Sequence, residues 1–429
     1  MTLGKRRKAW TAALAATLLA FVAACGSSGP GASGSVSAWA LTGGDEQTFR
    51  TSFSSGGIDG QFFGNDAYKQ KIRSAVGAGQ APTLVFSWGN GGMLKSWVDA
   101  GKIADLTPEV QKDPTLTSRY LPSVAKTGVI GDKTYAVPNN GMQPVFVFYN
   151  KELFDKIGAQ PPATWDELMA LIPRFNAAGI APFSMGGQSK WPQLMWEEYL
   201  VDRIGGPDVF NAIASNKPGA WSDPAVLQAN RMIQQLVDAG GFVKGFNSIA
   251  TDSNADTALL YTGKAAMYLM GSWAFPTIKQ ADPGFISGGK LGYVAFPTVA
   301  GGKGDPADIV GNPANYWSVS ATATDDQKQA AVKYLRENVM NDSYVDSLLA
   351  NGSVPPVNGI EAKLAKAQDP QYLSYVYNVA RNAPSFQLSW DQALSPGQAD
   401  ALLNNLDQLF LKQITPEQFS ANMNGTIGQ

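Results

Sequence analysis

The chain has 429 residues, 33 basic and 35 acidic, with a formal net charge of −2 and 44% hydrophobic residues. It holds no histidine and a single cysteine, which excludes His-based triads, imidazole acid–base chemistry, His-ligated or thiolate metal sites and an internal disulfide. Length alone suggests two or three domains, each resting on an ordinary hydrophobic core.

At the start of the chain, Lys5-Arg6-Arg7-Lys8 precede an apolar run from Ala9 to Ala24. The run is short for a membrane span but suits a signal-peptide core. It ends in Val22-Ala23-Ala24-Cys25, which is similar to a bacterial lipobox. Residues 1–24 are therefore expected to be a cleaved signal peptide and Cys25 a lipidated first residue, tethering the chain to the outer face of a membrane. Residues 25–35 read as a flexible linker. The leader holds four basic residues and no acidic one, so the remainder stands at −6, a poor match for nucleic acid.

Val36–Leu41 reads as a first strand, with the loop Thr42-Gly43-Gly44-Asp45 after it and a helix over 46–54. A second strand over 60–63 ends at Gly64-Asn65-Asp66. Tyr68, Ile72 and Val76 then recur at helical spacing. Residues 82–87 form a short apolar run bounded by Pro and Gly, suited to a buried strand. This β–α–β–α–β alternation argues for a parallel sheet covered by helices, the α/β class. Residues 144–149 read as another buried strand, followed by a helix over 151–157. Thr164 and Glu167 form a capping-box pattern. Residues 224–239 are strongly helical, and a helix over 256–261 leads into a strand over 265–270. The last hundred residues are largely helical, with breaks at 352–356, 369–370 and 395–396. In open α/β sheets ligands bind beyond the C-terminal ends of strands. Asn65, the stretch Trp88-Gly89-Asn90-Gly91-Gly92 and Gly271-Ser272-Trp273 all follow such ends, so they are expected to converge on one pocket.

Several tracts, in this order, carry a resemblance. They are F-S-W-G-N-G-G-M-L-K-S-W-V-D-A-G-K-I-A-D-L-T (86–107), Y-A-V-P-N-N-G-M-Q-P-V-F-V-F-Y-N-K-E-L-F (135–154), P-A-T-W-D-E-L (162–168), G-K-A-A-M-Y-L-M-G-S-W (263–273) and L-G-Y-V-A-F-P (291–297). Together they resemble the extracellular solute-binding lipoproteins of ATP-binding-cassette sugar importers, over nearly the whole chain after the leader. Within that family the chain looks like the xylobiose, cellobiose and chitobiose binders of actinomycetes. The resemblance implies a periplasmic-binding-protein-like fold: two α/β lobes joined by crossing hinge segments, with ligand in the interlobe cleft and closure by hinge motion. It places crossings near 138–143, 270–272 and 311–317. Lobe one would then hold 36–138 plus 272–311, and lobe two 144–270 plus 317–429.

A sugar offers an apolar C–H face and a belt of hydroxyls, so its site needs flat aromatic rings with amide, carboxylate or guanidinium partners. Trp88 is expected in the pocket with Asn90, since Gly89, Gly91 and Gly92 would let a ligand approach the backbone. Trp273 is expected there as well. Asn65, Asn140, Gln143 and Asn312 supply amides at strand ends and crossings. Trp390 and Asp391 resemble the family's C-terminal pocket segment, and Thr42 to Asp45 are second-tier candidates. Trp39, Trp97 and Trp196 read as core, Trp165 as a helix staple, and Trp317 as either core or pocket.

In the tract G-G-Q-S-K-W-P-Q-L-M-W-E-E-Y-L (186–200), Pro192 suits the first turn of a helix. Met195, Trp196, Tyr199 and Leu200 form its apolar stripe, leaving Trp191 free to line a cleft. Glu197 and Glu198 are consecutive and diverge by about 100° on a helix. They cannot together be the opposed carboxylates, roughly 5–10 Å apart, that glycosidases use; a distant partner such as Asp391 stays open, as does one glutamate accepting from a hydroxyl, and the pair reads first as a solvated face.

The expected function is capture of a neutral xylo-, cello- or chito-type di- or oligosaccharide at the extracellular face of the cell membrane. Delivery would be to the permease subunits of an importer with a separate ATPase. No catalysis, cofactor, metal or nucleic acid is expected; the lipid is the only membrane contact, and the chain is read as a monomer. The alternatives are a membrane-tethered glycoside hydrolase, or the same scaffold carrying a non-sugar solute such as a peptide or polyamine.

Overall fold

The computed structural model describes residues 35–428. The expected signal peptide, Cys25 and all of the expected linker but Ser35 lie outside the described residues. No helix among the described residues is long and apolar enough to cross a membrane.

Two sheets organise the chain. The first has five strands in the order Ile58–Phe63, Val36–Leu41, Leu84–Ser87, Tyr316–Val319 and Val137–Pro138. Val36–Leu41 runs parallel to both neighbours, as the alternation of strands and helices implied. Its residues alternate between fully buried (Val36, Ala38, Ala40) and half-buried (Ser37, Trp39, Leu41). Trp39, read as core, is thus half-buried: it packs edge-on against Phe63 with Lys71 over its ring.

The second sheet has six strands. Its path is Phe386–Leu388, Ile309–Asn312, Gln143–Asn150, Ala265–Gly271 and Ala181–Ser184, with Leu291–Val294 also pairing with Gln143–Asn150. Gln143–Asn150, buried along almost its whole length, is its spine. Helices start where the sequence places them. Thr164 Oγ1 accepts from the Glu167 backbone N–H while the Glu167 carboxylate accepts from that of Thr164, closing the capping box on helix Trp165–Ala177.

The topology corrects the allotment of segments to lobes. Strands Leu291–Val294 and Ile309–Asn312, assigned to lobe one on the resemblance, both pair with Gln143–Asn150 and belong to the second sheet. Strand Tyr316–Val319, assigned to lobe two, lies antiparallel to Leu84–Ser87 in the first. The chain therefore stays in lobe two after 270–272 and crosses between Asn312 and Tyr316. It remains in lobe one through helices Asp325–Glu337 and Asp342–Asn351, and returns beyond a stretch where Val354 and Pro356 carbonyls accept from Met142 and Leu121. The physical reason is side-chain packing. Trp317 is fully buried, its ring 5.9, 5.9 and 5.5 Å from those of Phe49, Phe53 and Phe86. A short apolar strand carries no mark of which sheet it will join, and this aromatic cluster decides.

Candidate functional site

A cleft of 720 Å³ opens between the two sheets, walled by residues of both lobes and of the crossings between them. From lobe one come the loop after the first strand, Thr42 to Asp45, together with Asn65, Lys69 and Trp88. The crossings bring Asn140, Gln143, Asn312 and Asn315. Lobe two contributes Trp191, Met195, the stretch 251–255, Tyr261, Trp273, Thr277, Gln280 and the segment Ser389, Asp391 and Gln392.

Trp191 opens helix Trp191–Gly205, with Pro192 in its first turn. The ring stands 6.1 Å from that of Trp273 at an interplanar angle of 52°, so the two indoles form a tilted pair on one wall. Both are half-buried. Gly271 is required beneath Trp273, because a Cβ there would lie 1.8 Å from the indole ring. Trp88 reaches the cleft but is only 6% exposed. Its ring packs edge-on against Phe86 and Tyr68, and Lys69 Nζ sits 5.2 Å above it.

Three polar atoms of the lining are buried with no hydrogen-bond partner: Trp191 Nε1, Asn312 Oδ1 and Asn315 Oδ1. Asn312 Nδ2 donates weakly to Gln143 Oε1 at 3.4 Å. Buried polar groups are as a rule satisfied, and in the lining this donor and these two acceptors are available to a polar ligand.

The carboxylates of the lining are all engaged. Asp45 accepts from Ser353 Oγ on both oxygens at 2.8 Å. Burial pushes its pKa up to about 6, against the lowering effect of hydrogen bonds from Ser353, Asn140 and Asn351. Glu46 accepts from Arg50 Nε at 2.7 Å, and Asp391 pairs with Lys69 at 2.9 Å. Asp252 accepts from the Asp66 backbone N–H at 3.1 and 3.3 Å.

Two candidates do not reach the cleft. Asn90 is exposed and turns away, its Nδ2 donating to the Val129 carbonyl at 3.3 Å. Trp390 is fully buried, stacked on Phe210 at 4.6 Å with its Nε1 donating to Gln387; only its neighbours Ser389, Asp391 and Gln392 face the cleft. The glycines after Trp88 also serve another end. A Cβ on Gly91 or Gly92 would stand 1.9 Å from the carbonyl oxygen of Gln392 or Leu394, so it is the backbone of lobe two that approaches them.

Glu197 and Glu198 are not on a solvated face: both are fully buried. Their helix is packed on every side, and all twelve residues that follow Trp191, from Pro192 to Arg203, are buried. Glu198 Oε1 accepts from Ser389 Oγ at 2.9 Å and from the Trp390 N–H at 2.6 Å, pinning the segment that carries Asp391 and Gln392. Burial pushes its pKa up to about 8, with the Asp391 charge acting in the same direction and the two hydrogen bonds opposing. Burial, then the adjacent Glu198, holds Glu197 well above the usual carboxylate range.

Sequence reading missed Lys69, Asp252, Tyr261, Asn315 and Gln392. Thr277 and Gln280 had a usable signal, since they follow Trp273 by four and seven residues and so share its helix face. The loop around Asp252 carried none.

The chain is similar to known proteins in both sequence and fold. The family model for bacterial extracellular solute-binding proteins matches residues 58–337. A probable sugar-binding periplasmic protein of Mesorhizobium japonicum is 29% identical over 214 residues, 49% of each chain. The multiple sugar-binding protein of Streptococcus mutans is 26% identical over 300 residues, 67% of this chain and 66% of its own. The chain thus spans about half the length of the first relative and 66% of the second. Among solved structures, one from a study of xylan utilization by the thermophilic Caldanaerobius polysaccharolyticus superposes with a TM-score of 0.82 at 29% identity. It covers 92% of this chain and 100% of its own. A chitin oligosaccharide binding protein shares the fold at 21% identity, with a TM-score of 0.74 over 89% of this chain and 92% of its own.

Proposed function

Because the chain belongs to the bacterial extracellular solute-binding proteins, we propose that it captures a neutral di- or oligosaccharide outside the cell and hands it to the permease of an ATP-binding-cassette importer. The observation that carries this reading is the trio of orphaned polar atoms beside two tilted indoles. Trp191 and Trp273 offer flat apolar surface for a sugar's C–H face. Trp191 Nε1 can donate to a hydroxyl oxygen, and Asn312 Oδ1 and Asn315 Oδ1 can accept from hydroxyl hydrogens. Hydroxyls do both at once, and ammonium groups cannot accept. The engaged state of Asp45, Glu46, Asp252 and Asp391 further favours a neutral ligand over a polyamine.

Asn65, Trp88, Asn140, Gln143 and Asp391 complete the proposed lining, all of them on the cleft wall. The protein performs no chemistry of its own in this reading, because the cleft carboxylates are committed to protein partners. Anchoring through a lipid on Cys25 belongs to the same proposal and rests on the motif before it. The Caldanaerobius structure and the sugar-binding names of the relatives support a sugar as the solute, with xylo-oligosaccharides the first to try.

Titration with xylo-, cello-, malto- and chito-oligosaccharides of two to four units, followed by calorimetry and tryptophan fluorescence, tests the reading. One series is expected to bind and to quench or shift the emission of Trp191 and Trp273. If none binds, the sugar proposal falls; shortened products after incubation would overturn the absence of chemistry.

A further inference from the structure

Helix Asn65–Gly77 of lobe one meets lobe two along a single stripe. At its start, the Asp66 N–H donates to both oxygens of Asp252 at 3.1 and 3.3 Å. Lys69 Nζ donates to Asp391 Oδ2 at 2.9 Å, and Arg73 Nη1 donates to both oxygens of Asp400 at 3.0 Å. Positions 66, 69 and 73 are spaced by three and four residues and so share one helix face. The three carboxylates come from three separate segments of lobe two: the turn Thr251–Ser253, helix Trp390–Ala393 and helix Pro396–Phe410.

The helix has no cap of its own, since its N-cap residue is Gly64 and supplies no side chain. A helix start leaves backbone N–H groups unpaired and carries a partial positive charge. Here the missing cap is supplied across the cleft by Asp252. Gly64 makes that approach possible, because a Cβ there would stand 2.6 Å from Asp252 Oδ2.

We propose that this stripe is an ionic clasp, and that Arg73 and Asp400, outside the cleft lining, are positioning residues that set ligand affinity by holding the two lobes together. The physical argument is differential. These contacts join lobe to lobe, so separation of the lobes breaks all of them while leaving each lobe's own core intact. A ligand that touches both lobes binds the closed arrangement, and its apparent affinity scales with how readily that arrangement is populated. The Arg73–Asp400 pair is the exposed member, with side chains 35% and 56% exposed, so added salt screens it first. The affinity effect rests on the capture function proposed above; the closure itself does not.

The test therefore has an arm without ligand. Spin labels at the exposed positions Gln70 and Asn404, one per lobe, report the interlobe distance in the ligand-free protein. At 50 mM NaCl, Arg73→Ala and Asp400→Ala should each move population to longer distances. The double variant should do no more than the larger single effect, and 1 M NaCl should reproduce it in the wild type. The swap of Arg73→Asp with Asp400→Arg should restore the short population. In the second arm, Arg73→Ala should speed release of bound xylobiose about two- to fivefold, with the association rate unchanged. An unchanged distance distribution in both single variants overturns the clasp, and so does faster release without it. If xylobiose does not bind at all, the sugar proposal suffers while the distance arm still decides the clasp.

Discussion

Trp191 combines a half-buried ring, a neighbouring indole at 6.1 Å and a buried N–H with no partner. Its replacement by Ala removes the ring and the donor together but leaves Trp196, the core indole of the same helix, in place. Trp191→Ala should weaken sugar binding at least about tenfold, or ~1.4 kcal/mol, with the melting temperature nearly unchanged; calorimetric titration reads the first and a thermal scan the second. Glu198 makes a different kind of claim. A carboxyl whose native pKa lies above its unfolded value binds more protons folded than unfolded between the two. Stability should therefore fall as pH rises from the ordinary 4.5 toward about 8, and level off beyond. Glu197 shifts in the same direction and adds to the fall. Glu198→Gln keeps an acceptor for Ser389 and the Trp390 N–H but cannot ionise. It should raise the melting temperature at pH 8.5 by at least about 2 °C while matching the wild type near pH 5. An equal difference at both pH values would assign the effect to packing instead.

At the level of elements, the start of helix Gly92–Asp99 is a place where lobe one's backbone closely approaches lobe two's. Ala is a better helix former than Gly, so Gly92→Ala suits its own helix. Its Cβ would nevertheless stand 1.9 Å from the Leu394 carbonyl oxygen, and a shift of one lobe against the other relieves that. The variant should fold with an unchanged or higher ligand-free melting temperature and bind sugar at least about tenfold more weakly, measured by calorimetry. Helix Trp191–Gly205 shows the opposite relation between element and surroundings. Its sequence reads as amphipathic, yet it is buried between helices Pro224–Asp238 and Pro396–Phe410 and the second sheet. Two consecutive glutamates looked like a solvent face because local spacing cannot reveal a helix enclosed on all sides.

Across the whole molecule, binding to a cleft shared by two lobes couples their stabilities. A ligand that binds only the folded protein at a hundred times its Kd adds about 2.7 kcal/mol. The shift that the sugar panel should produce therefore belongs to both lobes, not to one. The clasp along helix 65–77 works at this scale too: three weak contacts from one helix act on the same relative position of the lobes.

Legible in the residues alone were the α/β class, the order of strands and helices along most of the chain, the capping box at Thr164, and the presence of Trp191 and Trp273 on a cleft wall. These are properties of local spacing, turn chemistry and strand ends, which neighbouring residues encode. The family tracts extended that reading to two lobes and a cleft. That Tyr316–Val319 joins the first sheet and Leu291–Val294 the second emerges with the packed fold, because partner choice between distant strands depends on cores that assemble from the whole chain. The same packing turned Asn90 outward, buried Trp390 against Phe210, enclosed Glu197 and Glu198, and brought Asp252 and Asp400 across to the face of Asp66 and Arg73. Exposure and long-range pairing are set by what packs against a residue, and no window of sequence around it contains that partner.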